Sequence, residues 1–153
     1  MPDIDETDRS LLRALQQDAL LTAQELGERL NLSPSQAGRR RQRLEKTGYL
    51  KGARAIVDAA GLGLGIQAFV SVQMVTHSEK NHTSFLRLVR ATEAITAAFT
   101  LTGEADYLLR VWCKDLQALH QLIHGTLLPH QAIARVQSQI VVDQMKPDAP
   151  LPV

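Results

Sequence analysis

Apolar residues follow two different rhythms along this chain. They keep the helical period over the first fifty residues and alternate one-by-one over much of residues 66–142. Ile4, Leu11, Leu12 and Leu15 share one helical face and predict a first helix over about residues 5–18. Thr22 followed by Glu25 is a capping-box pattern, and Ala23, Leu26 and Leu30 give a short second helix its apolar side. Asn31-Leu32-Ser33 reads as the turn. Ser33-Pro34-Ser35-Gln36 then places serine at an N-cap, proline in the first turn and glutamine at N3. The third helix is expected to reach about Thr47, with Gly48 as its left-handed stop. Two short helices joined by a tight turn and preceded by a third make a helix-turn-helix unit. Tyr49–Asp58, with Leu50, Ile56 and Val57, reads as an extended wing leaving it.

The second rhythm begins with Ile66, Ala68, Val70, Val72 and Met74, which alternate with Gln67, Phe69, Ser71 and Gln73 as in a half-buried strand. Phe85, Leu86, Leu88 and Val89 predict a helix over roughly 79–92, and Ile95, Ala97, Phe99 and Leu101 a second strand. Thr102–Asp106 is a turn, and Tyr107, Leu109, Val111 and Cys113 form the returning strand. Leu116, Leu119, Leu122, Ile123 and Leu127 mark another helix, ended by Pro129. Val136, Ile140 and Val142 give the last strand. The fold class is therefore α+β: an N-terminal winged helix-turn-helix followed by a ferredoxin-like βαββαβ sandwich. The expected divisions are 1–52 for the helical unit, 53–64 for an extended linker or wing, 65–145 for the sandwich and 146–153 for a flexible tail. One face of such a sheet lacks helices, and a second copy of the chain is the expected cover.

Charge changes the picture. The chain of 153 residues is nearly neutral, with 17 Lys+Arg against 16 Asp+Glu. Residues 1–31 nevertheless carry seven acids and three bases, while residues 39–54 carry seven bases against Glu45 alone. A short segment of that density calls for a polyanionic partner, and nucleic acid is the expected one. The single cysteine, Cys113, excludes a disulfide framework within the chain and points to a reducing compartment. No apolar run approaches the roughly 20 residues that cross a bilayer. The acidic start, Met1–Glu6, does not read as a secretion signal, so the expected location is the cytoplasm.

Phasing the third helix at about 100° per residue turns Ala37 and Leu44 inward, with Arg41 close to them. Ser35, Arg39, Arg43 and Lys46 lie on the other side, flanked by Gln36 and Arg40. Arginine pairs bidentately with guanine, glutamine with adenine, and further cations neutralise phosphates. Ser35, Gln36 and Arg39 are accordingly candidates for base edges, and Arg40, Arg43, Lys46 and Arg54 for phosphates. Ser33, at the start of the same helix, completes the candidate DNA-binding set.

Leu32-Ser33-Pro34-Ser35, Arg43-Leu44-Glu45-Lys46-Thr47-Gly48-Tyr49-Leu50-Lys51-Gly52 and Thr102-Gly103-Glu104-Ala105-Asp106-Tyr107-Leu108-Leu109 stand in this order across the two parts. With the opening Ile4–Leu12, this arrangement resembles the Lrp/AsnC (leucine-responsive/asparagine-regulator) family of prokaryotic transcription factors, over about residues 4–145. The resemblance implies a sequence-selective, double-stranded-DNA-binding homodimer, often built into tetramers or octamers, and no enzymatic activity. It implies a C-terminal domain that senses a small metabolite, commonly an amino acid, and no other cofactor. It places that effector at the loop Gly103, Glu104, Ala105, Asp106 and Tyr107. There a glycine turn exposes backbone N–H groups to a carboxylate, and Asp106 is suited to an ammonium. The plain alternative is a hairpin turn in which Asp106 caps backbone.

Four positions depart from the family pattern: Gly38, Arg41, Ala53 and the stretch Pro129-His130-Gln131-Ala132. Arg41 must run past the core or reach an acidic neighbour. His120 and His124 stand four residues apart, yet no further ligand completes a recognisable zinc spacing, so no metal is expected. The two-part architecture also resembles siroheme decarboxylases, an enzyme alternative. An effector-independent architectural DNA-binding protein is the other.

Overall fold

The structure, a computed structural model, describes residues 3–76 and 78–153. Met1 and Pro2, at the head of the expected helical unit, lie outside the described residues. The chain divides into two compact units, Met1–Ile56 with Met145–Val153, and Val57–Gln144.

In the first unit every helix begins with a reciprocal cap. Helix α1 (Glu6–Gln17) is capped by Asp5 and Asp8, α2 (Ala23–Leu30) by Thr22 and Glu25, and α3 (Pro34–Lys46) by Ser33 and Gln36. Each box satisfies backbone N–H groups that a helix start otherwise leaves without partners. Leu11, Leu26, Ala37 and Leu44 are fully buried, and Leu12, Leu15 and Leu21 nearly so. The turn between α2 and α3 is set by Asn31, whose φ of 53° is left-handed, and by the Leu32 N–H bonding the Gly27 carbonyl at 2.9 Å. Gly48 stops α3 with φ 79°.

Two expectations for this unit are corrected. The segment after α3 forms no wing: residues 51–58 carry neither helix nor strand pairing and lie exposed, because alternation spans too few apolar residues there to bury a face. The tail is not loose. The Leu151 N–H donates to Gln16 Oε1 at 2.6 Å, Gln16 Nε2 donates back to the Leu151 carbonyl at 3.1 Å, and Val153 packs against the leucine core.

The second unit holds β1 (Ile66–Met74), α4 (Glu79–Ala91), β2 (Ile95–Thr100), β3 (Tyr107–Cys113), α5 (Leu116–Gln121) and β4 (Ile133–Ile140). The antiparallel sheet has the order β2-β3-β1-β4, as a βαββαβ sandwich requires. Ala68, Val70, Val72, Leu109, Val111, Phe85 and Leu127 form its buried core. The last helix is shorter than expected, because Leu122–Leu127 widens into a π-helical turn. Leu122 and Leu127 are five residues apart and both buried, a spacing that an i→i+5 turn brings to one side. The last strand stops at Ile140, leaving Val142 at 99% exposure rather than in the sheet. On the opposite sheet face Phe69 pairs with Arg110, and Leu108 with both Ser71 and Phe99. Phe99 remains 51% exposed.

Candidate nucleic-acid interface and ligand loop

The start of α3 uses two of the predicted site residues for structure. The Gln36 N–H donates to Ser33 Oγ at 3.3 Å, and Gln36 Oε1 accepts from the Ser33 N–H at 3.0 Å and from the Ser33 hydroxyl at 3.1 Å. Ser33 is thus occupied by the cap, and Gln36 keeps only its amide NH2 for an outside partner. Ser35 and Arg39 stand exposed on the next turn, where Arg39 Nε donates to the Ser35 carbonyl at 3.2 Å. Lys46 is exposed on the same side, and so is Gln42. Sequence reasoning missed Gln42, although the phasing that found Ser35 puts a residue seven further on along the same stripe.

Arg40 and Arg43 are not free for phosphates in the way the charge count suggests. Arg40 Nη1 donates to Asp5 Oδ2 at 2.7 Å and to Asp8 Oδ1 at 2.8 Å. Arg43 Nη2 donates to Asp8 Oδ2. Asp8 itself is fully buried. The hydrogen bond from Arg40 holds the Asp5 carboxyl below its usual range, and the same contacts raise Arg40. The acidic start of α1, read as a separate charge block, therefore neutralises part of the basic segment. Arg41 does both things expected of it, donating to the Leu21 carbonyl at 2.9 Å and to Glu45 at 3.2 Å. Of the seven bases in residues 39–54, Arg39, Lys46, Lys51 and Arg54 stand outside any ion pair among the described residues.

The second candidate is the β2–β3 hairpin. The Leu101 N–H bonds the Asp106 carbonyl at 2.9 Å, and the Asp106 N–H bonds the Val72 carbonyl at 3.0 Å. The Asp106 carboxylate accepts from the Met74 N–H at 2.6 Å, a backbone cap across the sheet. Gly103 has φ 120°, a conformation that favours glycine. The predicted loop residues face different cavities. Glu104 and Ala105 line a small open one of about 50 Å3 with Ser71, Arg135 and Gln137. Tyr107 lines another of about 290 Å3 with Met74, Thr76, Ser78, Glu79 and His82. Its hydroxyl lies 2.6 Å from His82 Nδ1, and its ring centroid 4.6 Å from that of Phe85. Burial, then the charge of Asp106, raises its phenol above the ordinary range.

His120 and His124 stack with ring centroids 4.3 Å apart, and among the described residues no third donor gathers with them. Cys113 is buried, which raises its thiol. No helix of the described residues is long and apolar enough to cross a membrane.

Comparison with known proteins matches both units. Residues 4–45 fit the AsnC-type helix-turn-helix domain, and residues 67–151 the Lrp/AsnC ligand binding domain. The chain is 32% identical over 150 residues to the DNA-binding transcriptional activator DecR of Escherichia coli, covering 98% of this chain and 99% of that one. It is 31% identical to the transcriptional regulator AzlB of Bacillus subtilis, covering 98% and 96%. A crystal structure of a Neisseria meningitidis transcriptional regulator in complex with L-Met superposes with a TM-score of 0.93 at 35% identity, covering 98% and 97%. These relatives are regulators of transcription, and the decarboxylase alternative finds no counterpart among them.

Proposed function

The chain belongs to the Lrp/AsnC family of DNA-binding transcriptional regulators, and from that premise we propose how its own residues bind DNA and sense a metabolite. The carrying observation is the exposed stripe Ser35, Arg39, Gln42 and Lys46 on a helix whose other side is locked by Ala37 and Leu44. Ser35 and Arg39, with the amide NH2 of Gln36 and the side chain of Gln42, read base edges in the major groove. Lys46, Arg54 and the open edge of Arg43 meet phosphates. Arg40 and Ser33 serve the fold of this unit rather than the groove.

The sandwich binds an amino-acid effector at its Gly103–Tyr107 end. Support comes from the L-Met complex of the Neisseria relative and from the 290 Å3 cavity beside Tyr107, the larger of the two. The exposed sheet face around Phe99 pairs with a second copy, so that two recognition helices meet successive half-sites. Dimers of this kind join into tetramers or octamers through the sandwich. The protein works in the cytoplasm, on DNA.

Fluorescence anisotropy tests this reading. Wild-type protein is titrated into DNA from upstream of its own gene and into a scrambled duplex, at about 150 mM salt, with and without a pool of amino acids. Preference for the upstream duplex that moves with the pool is the expected result. Equal binding to both duplexes would make the protein architectural rather than sequence-selective.

A further inference from the structure

We infer that Asp8 is a positioning residue for DNA binding: a buried carboxylate that holds Arg43 ready for a phosphate and keeps Arg40 out of the interface. The inference rests on the DNA-binding reading above. Asp8 lies in the first turn of α1, its side chain fully buried, and each of its oxygens accepts from a different arginine of α3. Oδ2 also accepts from the Asp5 N–H at 3.2 Å. A carboxylate out of water needs such partners, since removing them leaves an uncompensated buried charge.

The two arginines are not equivalent. Arg40 spends one nitrogen on Asp5 and Asp8 together, and its side chain is only 29% exposed. By helical phase it lies about 140° from Ser35, nearer the buried side of α3. Arg43 lies about 80° from Ser35 on the same scale, and its side chain is 50% exposed. It gives Asp8 only Nη2. Its Nε and Nη1 make no other hydrogen bond among the described residues, and each is left to donate singly to a phosphate oxygen. An unrestrained arginine loses rotamer freedom when it binds. One already fixed by a buried carboxylate has lost most of it on folding. Asp8 therefore acts on DNA through Arg43.

The test is anisotropy of the full-length protein on its preferred duplex at several salt concentrations, for wild type, Asp8→Asn, Arg40→Ala, Arg43→Ala and the Asp8→Asn/Arg43→Ala pair. Arg43→Ala is expected to lower the slope of log K against log salt by about one, the loss of one phosphate contact. Arg40→Ala is expected to leave that slope unchanged. Asp8→Asn weakens binding by roughly three- to tenfold in the wild-type background and not at all beyond Arg43→Ala alone. An equal loss in both backgrounds would overturn the inference, because Asp8 would then act only through the fold. If Asp8→Asn fails to fold, the two arginine slopes decide: a slope lowered by Arg40→Ala and untouched by Arg43→Ala overturns it. Wild-type protein that binds no duplex overturns the DNA-binding reading itself, a result separable from any of these.

Discussion

A Cβ placed on Gly27 would stand 2.7 Å from the carbonyl oxygen of Leu32, closer than side-chain carbons approach a backbone oxygen. The turn of the helix-turn-helix is built on this approach. It lets the chain fold back over α2 with the Leu32 N–H bonded to the Gly27 carbonyl, and so fixes where Ser33 starts α3. Gly27→Ala is expected to destabilise the helical unit by about 1–3 kcal/mol, the usual cost of overpacking, because the obstacle is backbone and has no rotamer to yield. Thermal melting followed by circular dichroism reads the loss. A variant that melts with the wild type would show that the turn relaxes freely, and that its geometry does not depend on this glycine.

The stripe on α3 separates base reading from phosphate binding. Arg39→Ala should weaken the preferred duplex more than a scrambled one, since an arginine on a guanine edge is worth about 1–3 kcal/mol of discrimination. Lys46→Ala should weaken both about equally and lower the salt slope by about one. Gln42→Ala is expected to behave as Arg39→Ala does, with a smaller loss. Titrations of each variant on both duplexes decide the assignment, and equal losses on the two duplexes for Arg39→Ala would move it to the phosphate class.

Acid should loosen the helical unit first at its caps. Asp5 is held below its ordinary value by Arg40, and Glu25 by its hydrogen bonds with Thr22. Below the ordinary carboxylate range the unfolded chain has taken up protons that these folded groups still refuse. Stability therefore rises with pH through that window and is complete above it. Urea melts at about pH 7, 5 and 3 should show the midpoint falling between the last two. Asp5→Asn should flatten that fall, and an unchanged pH dependence in this variant would remove Asp5 as a source of it.

Much of this was legible in the residues, for reasons that are local. Ser33, Pro34 and Gln36 declare a helix start because a cap needs those side chains within three residues. Ala68, Val70 and Val72 declare a strand because pleating sends alternate residues to one face. What escaped depends on distance along the chain. Asp8 and Arg43 are separated by 35 residues, so counting charge in blocks could not show that one acid consumes part of the basic segment. The same holds for Asp106, whose partner is the Met74 N–H 32 residues away. The π turn at Leu122–Leu127 has no local signature, since Leu116, Leu119, Leu122, Ile123 and Leu127 also fit an ordinary helical period. Leu50, Ile56 and Val57 have strand-like spacing but no strand to pair with, and a wing needs both.

Asp106 offers a way to divide structure from sensing. Its carboxylate accepts from the Met74 N–H at 2.6 Å, a bond that an amide oxygen also makes. Asp106→Asn should therefore keep the hairpin folded, with a melting temperature close to the wild type. Asp106→Ala leaves that backbone donor without its acceptor and should cost about 1–3 kcal/mol. The amide differs from the carboxylate in one respect only that matters for an amino acid: it carries no charge for an α-ammonium. If Asp106 meets the ammonium, Asp106→Asn abolishes the response of DNA binding to amino acids while leaving both folding and effector-free affinity in place. Isothermal titration of the amino acid, beside anisotropy on the preferred duplex, reads both quantities. A full amino-acid response in Asp106→Asn would show that another group meets the ammonium, Glu79 being the carboxylate that lines the Tyr107–His82 cavity.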